Sequence, residues 1–162
     1  FRKNKKIETE NLVEIIENIK KWKSGKNNST KVFQALRIFV NKEISELING
    51  LINAYNILPI GGVIAVVTFH SVEDKIVKFF FKEYSEIKNS SRYLPKSTEI
   101  KKYFKLTKKK PITPSLNEIK INPPSRSAKL RFAYKLENGC DFKNFNKHFN
   151  YLKEIESLNF DV

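Results

Sequence analysis

Thr68, Phe69, His70, Ser71, Glu73 and Asp74 crowd into "TFHSVED" (68–74), where an apolar run ends and a helical pattern begins. The chain has 2 histidines, and the other, His148, is far away in sequence. An imidazole beside a hydroxyl and carboxylates is a set able to bind and orient a ligand. If the apolar run is a strand of an open α/β sheet, this cluster sits at its carboxyl end, where such sheets collect ligands. A plainer role fits the same residues: His70 capping or packing, with Glu73 and Asp74 favourable in the first turn of a helix. The pattern alone leaves both readings open. No metal-ligand spacing involves His70, since Cys140 is the lone cysteine. A nucleophile elbow and a phosphate-cradling glycine loop are also missing, because "PIGGV" (59–63) precedes the run instead of following it. Spacing by itself assigns no reaction.

The elements that must position the cluster are readable around it. "VIAVVTF" (63–69) is β-branched and apolar on both faces, which predicts an interior strand of a parallel sheet. A helix is expected from about Val72 to Ile87, with Ser71 as N-cap. Upstream, "IETENLVEIIENIKKW" predicts a short amphipathic helix with Thr9 as its cap, and "KSGKNNS" (23–29) a polar loop. From Thr30 to about Asn56 the spacing predicts one long helix, with Phe33, Leu36, Val40, Ile44, Leu47, Leu51 and Tyr55 on a single stripe. Pro59, Gly61 and Gly62 end it. Helix, turn, buried strand and helix make an α/β unit.

Downstream, residues 88–102 read as a loop and "KYFKLTKKKP" (102–111) as a strand closed by Pro111. Ser115 and Glu118 have capping-box spacing ahead of a short helix. "SAKLRFAYKL" (127–136) alternates, with Ala128, Leu130, Phe132, Tyr134 and Leu136 on one side and Lys129, Arg131 and Lys135 on the other. That predicts an antiparallel edge strand with one polar face. The remainder reads as a basic, aromatic-containing tail with a final helix.

The 162 residues suffice for one domain with a real core, and 40% are hydrophobic, including 13 Phe. Against 17 Asp+Glu stand 31 Lys+Arg, a net charge of +14 that points to a polyanionic partner. A composition rich in Lys, Asn and Ile, as an AT-rich genome imposes, would raise the charge as well. One cysteine rules out an internal disulfide and fits a reducing compartment. The expected location is the cytoplasm, with a bacterial-type organelle as the alternative. No apolar run approaches the ~20 residues of a membrane span, and the N-terminus lacks a signal-peptide core. Methionine is absent even from position 1, so the chain is expected to start inside a longer protein.

Three blocks together carry a resemblance: "STKVFQALRIFVNKEI", "LPIGGVIAVVTFHSVEDKIVKFFF" and "KPITPSLNEIKINPPSRSAKLRFA". In this order the chain resembles the small-subunit (16S) rRNA cytosine-N4 methyltransferases of the RsmH/MraW type, over roughly residues 29–133. The resemblance implies an α/β fold, the C-terminal part of a class I (Rossmann-like) methyltransferase sheet. Residues 1–28 would close an inserted helical domain, 29–137 would be the C-terminal half of the methyltransferase domain, and 138–162 a basic tail. It implies S-adenosyl-L-methionine as cofactor, held by family motifs expected upstream of Phe1, and small-subunit rRNA or the small ribosomal subunit as partner, with no metal and no membrane. The chain alone is expected to be inactive. It departs from the family at Asn27, Asn28, Ser29 and Thr30, where His-Pro-Ala-Thr is usual, and at Val63, often basic.

Within that family the strand-end residues acquire roles. The target cytosine must leave its stack and present its amine to the methyl group. Phe69 would stack on the base, His70 would bond the base or a phosphate, and Ser71 would orient either. Gln34 and Arg37, sharing a helix face, would approach the site or the RNA backbone. Arg126, Lys129 and Arg131 would contact phosphates, while "KLTKKK" (105–110) reads more as a solvated basic run. A non-enzymatic RNA-binding module is the competing class, supported by the charge and by basic and aromatic residues interleaved.

Overall fold

A computed structural model of the chain describes residues 8–19, 28–85 and 101–158. The expected loops over 23–29 and 88–102 and the end of the helix at 86–87 fall largely or wholly outside them. The elements run α1 (Thr9–Ile19), α2 (Asn28–Asn41), α3 (Glu43–Ile57), β1 (Val63–Thr68), α4 (Ser71–Ser85), β2 (Phe104–Lys105), α5 (Leu116–Ile121), a 3-10 turn (Pro123–Ser127), β3 (Lys129–Lys135) and α6 (Lys143–Glu156). The α/β class stands: among the described residues six helices accompany one sheet of three strands.

The long helix is two helices. Lys42 adopts a left-handed conformation (φ 52°, ψ 38°) and breaks the axis between α2 and α3. Beyond the break, Ile44, Ile48, Leu51 and Tyr55 are buried at helical spacing, whereas Leu36 and Val40 of the expected common stripe are exposed. The free N–H groups at the start of α3 are met from far away. Glu156 of α6 accepts from Ile44 N (2.8 Å), Ser45 N (2.9 Å) and Ser45 Oγ (2.6 Å), a carboxylate at the positive end of the helix.

Within the described sheet, the order is β1-β3-β2 and both pairings are antiparallel. Two expectations are corrected, the burial of β1 on both faces and the edge position of β3. β1 lies at the end of the order, and its side chains are not buried on both faces: Ile64 and Thr68 are buried, but Val63 is 44% and Val67 53% exposed. β3 is the central strand instead of an edge.

The face of β3 is also inverted. Lys129, Arg131 and Lys135 share the side of Ala133, which is fully buried, while Tyr134 and Leu136 on the apolar side are exposed. Two helices explain the inversion. α4 offers Asp74 to Lys129 and Arg131. α3 offers its C-terminal carbonyls, so Lys135 Nζ donates to Tyr55 O and Leu58 O, both at 2.7 Å. Lys135 is 1% exposed, and its ammonium also lies 4.3 Å from the Tyr55 ring centroid.

The core gathers α3, α4, β1, Phe104 and the start of α6. Phe142, Phe145 and Phe149, from the stretch expected to be a tail, are buried in it, and Phe80 stacks on Phe142 at 5.5 Å. Burial pushes the Tyr55 hydroxyl up to about 12, and that hydroxyl donates to Glu137 O at 2.6 Å.

Candidate functional site

β1 ends at Thr68 and α4 begins at Ser71, so Phe69 and His70 form the joint between them. The helix start is held by His70, not by Ser71. His70 Nδ1 accepts from Glu73 N (3.3 Å), and Glu73 Oε2 reaches back to accept from Phe69 N (2.9 Å) and His70 N (3.3 Å). The arrangement is a reciprocal capping box with an imidazole in the place of a hydroxyl. It fixes the orientation of the ring. Because Nδ1 accepts a hydrogen bond, the neutral ring carries its proton on Nε2.

That Nε2 is buried and makes no hydrogen bond, in a side chain only 9% exposed. It lies 3.2 Å from Glu73 Oε1 and 3.9 Å from Glu43 Oε2. Glu43 is delivered by the break at Lys42, which makes it the first residue of α3. Arg37, one turn before the end of α2, grips it through Nε (2.8 Å) and Nη2 (3.1 Å), and Asn41 adds a third hydrogen bond at 3.3 Å. Burial pushes the Glu43 carboxyl up, but Arg37 and Asn41 outweigh it and hold the group below the ordinary carboxylate value.

Glu43, His70 and Glu73 place one ligand atom each within 4.8 Å of one another. The chemistry around them suits a clasp better than a cation. Arg37 neutralises Glu43, two backbone N–H groups occupy Glu73 Oε2, and the proton on Nε2 removes the lone pair a metal needs.

The expected residues divide into groups. Phe69, 56% exposed, and Ser71, also exposed, stand beside His70 at the strand end. Arg37 joins the same cluster through Glu43. Gln34 is half-buried one turn earlier on α2, and among the described residues no hydrogen bond ties it to the cluster. Arg131 and Lys129 are engaged with Asp74: Arg131 Nε at 2.7 Å, Lys129 Nζ at 3.1 Å. Burial pushes the Asp74 carboxyl up, and the two cations more than reverse it, leaving it below its ordinary value. Arg126 is exposed on the 3-10 turn. His148 stacks on Phe79 at 4.1 Å, on a different side of α4 from the clasp.

Glu43 was not foreseeable as a neighbour of His70, because nothing in a spacing of nearly thirty residues marks it. The paired glycines serve a turn: Gly61 (φ 84°) donates its N–H to Lys135 O at 2.8 Å, and a Cβ at Gly62 would meet Leu58 at 2.5 Å.

Comparison with known proteins now bears on this geometry. Residues 1–136 match the model of the MraW methylase family. A protein of Leptospira interrogans named ribosomal RNA small subunit methyltransferase H is 43% identical over 148 residues, 91% of this chain and 40% of its own length. Proteins of the same name from Rickettsia prowazekii (45% over 142 residues) and Sinorhizobium fredii (43% over 155 residues) are covered over 46% and 44% of their lengths. The chain thus spans less than half of the curated relatives it matches. With most of its residues inside that family match, the chain belongs to the MraW methylase family.

Proposed function

We propose that this chain is the C-terminal, substrate-facing part of an S-adenosyl-L-methionine-dependent methyltransferase acting on N4 of a cytidine in small-subunit rRNA. The family match over residues 1–136 carries the proposal. The name shared by its relatives supplies the substrate class.

The described residues do not amount to a cradle for the methyl donor. Their paired glycines precede β1 and are committed to a turn, so no glycine loop follows a strand. On this reading the donor's site falls in the part of the relatives' length that this chain does not span.

What this chain supplies is a rigid lip. Phe69 offers an exposed ring at the mouth, suited to stacking on a flipped base. Its backbone N–H is held by Glu73, so the ring is mounted on the capped start of α4. Arg37 ties α2 to the start of α3 through Glu43, and His70, which caps α4, lies against that carboxylate at 3.9 Å. Such positioning matters because the amine must meet the methyl group in line, at near-attack distance.

The test is methyl transfer to small ribosomal subunits by the longer polypeptide, with the product mapped by mass spectrometry. N4-methylcytidine is expected. His70→Ala is expected to lower the rate at least ten-fold, about 1.4 kcal/mol of transition-state stabilisation. Because the ring caps α4, the change should also cost about 1 kcal/mol of folding stability, so rates are compared where both proteins are folded. Absence of N4-methylcytidine, or full turnover by a folded His70→Ala protein, would overturn the assignment.

A further inference from the structure

Beside α4 a cleft of about 320 Å³ opens between that helix and the segment following β2. Lys78 and Lys82 of α4 face Lys108, Lys109 and Lys110 of the segment, and all five are exposed. No acidic residue is among those lining it. Phe81, Leu106 and Phe132 complete the wall, so a cationic rim surrounds apolar surface.

Arg131 builds this cleft from behind. Its Nη1 donates to Lys109 O at 3.2 Å while its Nε holds Asp74 at 2.7 Å. One guanidinium thereby ties the lysine-bearing segment to α4. The same Asp74 donates its N–H to His70 O at 3.1 Å, so the rear of the cleft adjoins the clasp at the strand end. Lys78 lies seven residues beyond Ser71 (78 − 71), about 10 Å along the helix axis.

We propose that this cleft is a binding site for single-stranded RNA, seating one unstacked nucleotide with its base on the apolar wall and the flanking phosphates on the lysine rim. The inference rests on the RNA-substrate reading for its choice of polyanion, and adds where the strand runs. The volume falls in the range of sites for single small ligands, too small for a duplex but fitting for one nucleotide. Stacking platforms beside cationic grooves are how proteins hold single strands without reading their sequence. Stacked bases of an A-form duplex have no way into such a pocket. The "KLTKKK" run, which reads as solvated in the sequence, becomes one wall of the cleft.

Fluorescence anisotropy of the full 162-residue chain with a labelled mixed-sequence single-stranded RNA tests this. Two double variants on separate elements, Lys78→Glu with Lys82→Glu and Lys108→Glu with Lys110→Glu, are each expected to weaken binding at least ten-fold. Each should also flatten the salt dependence, by roughly 0.7 in logarithmic slope per lost phosphate contact. Lys143→Glu with Lys147→Glu, the same charge change on α6, is expected to weaken binding less than three-fold. A duplex of equal length, a polyglutamate peptide and anionic vesicles should compete at least ten-fold less well than unlabelled single strand. Unchanged urea midpoints in the variants show that lost binding is not lost folding. Equal losses in the cleft and control pairs, or equal competition by duplex, peptide or vesicle, would overturn the proposal. RNA binding through the cleft without methylation by the longer polypeptide would sink the methyltransferase reading and leave this one standing. Methylation and RNA binding both unaffected by the cleft variants would do the reverse.

Discussion

The two faces of the small sheet reverse the usual division of polar and apolar residues. On the face packed under α3 and α4, β3 turns inward Lys129, Arg131 and Lys135, and each meets a partner provided by a helix. On the other face, Val63, Val67 and Tyr134 line up across β1 and β3 and are exposed. A cation is buried where its hydrogen bonds are complete, and apolar residues lie open where no described element covers them. The helix side is therefore held by a few specific charge-assisted bonds, whose loss is expensive, and the open side by almost nothing.

The largest effect is expected from the covered face. Lys135→Ala leaves Tyr55 O and Leu58 O without their donor and empties the space of a fully enclosed side chain. A loss of about 3 kcal/mol is expected in urea unfolding, in line with removal of charge-assisted bonds in a buried site. Lys135→Met, which keeps the volume, should recover only part of it. Full recovery would mean that the hydrogen bonds contribute nothing and that Lys135 is only packing.

How much of this was legible in the sequence follows from the distance between partners. Ser115 and Glu118 are three apart, and the cap forms as expected, with Glu118 N donating to Ser115 Oγ at 3.2 Å. His70 and Glu73 are also three apart, and the cluster at the strand end was visible for that reason, although the sequence favoured Ser71 as the cap. Lys135 and Tyr55 are 80 residues apart, and Glu156 and Ile44 are 112 apart. No periodicity encodes such pairs, so β3 read as an edge strand with one polar face, and the final helix as part of a tail rather than of the core. The break at Lys42 was hidden because neither glycine nor proline marks it, and a lysine in the left-handed region gives no sequence signal. The family blocks were legible because they are contiguous stretches. Their three-dimensional clasp with Glu43 was not.

A smaller effect, with a pH signature, is expected at Asp74. Its pairing with Lys129 and Arg131 holds its carboxyl below the ordinary value of 3.8. A depressed folded-state value means stabilisation that is present above the unfolded value and lost as pH falls through the folded one. Asp74→Asn should therefore cost about 2 kcal/mol at neutral pH, where the nearly enclosed Arg131 and the partly exposed Lys129 lose their shared anion. The gap between the native chain and the variant should hold steady from about pH 8 to 5 and close below about pH 4. A gap independent of pH down to the acid limit would show that the amide loses packing rather than charge, and that the covered face is not held electrostatically.

The open face supplies the smallest change and the sharpest contrast. Val67 is 53% exposed on the last turn of β1 before the site, opposite Leu130 in the register. Only β3 pairs with β1 among the described residues, so an apolar surface and a free strand edge coincide there. Such a combination favours association between copies, and charge placed on it opposes that association. Val67→Lys in this chain should alter the unfolding free energy by less than about 0.5 kcal/mol, as surface substitutions do. In sedimentation velocity at rising concentration, it should shift the chain toward monomer. In a polypeptide of the relatives' full length, a second layer over this face would make the same lysine a buried charge without a partner, at a cost of several kcal/mol. The two chain lengths then respond oppositely to one substitution. A loss above about 1 kcal/mol already in the 162-residue chain would mean that the face is covered in solution. The contrast between the two faces would then fail.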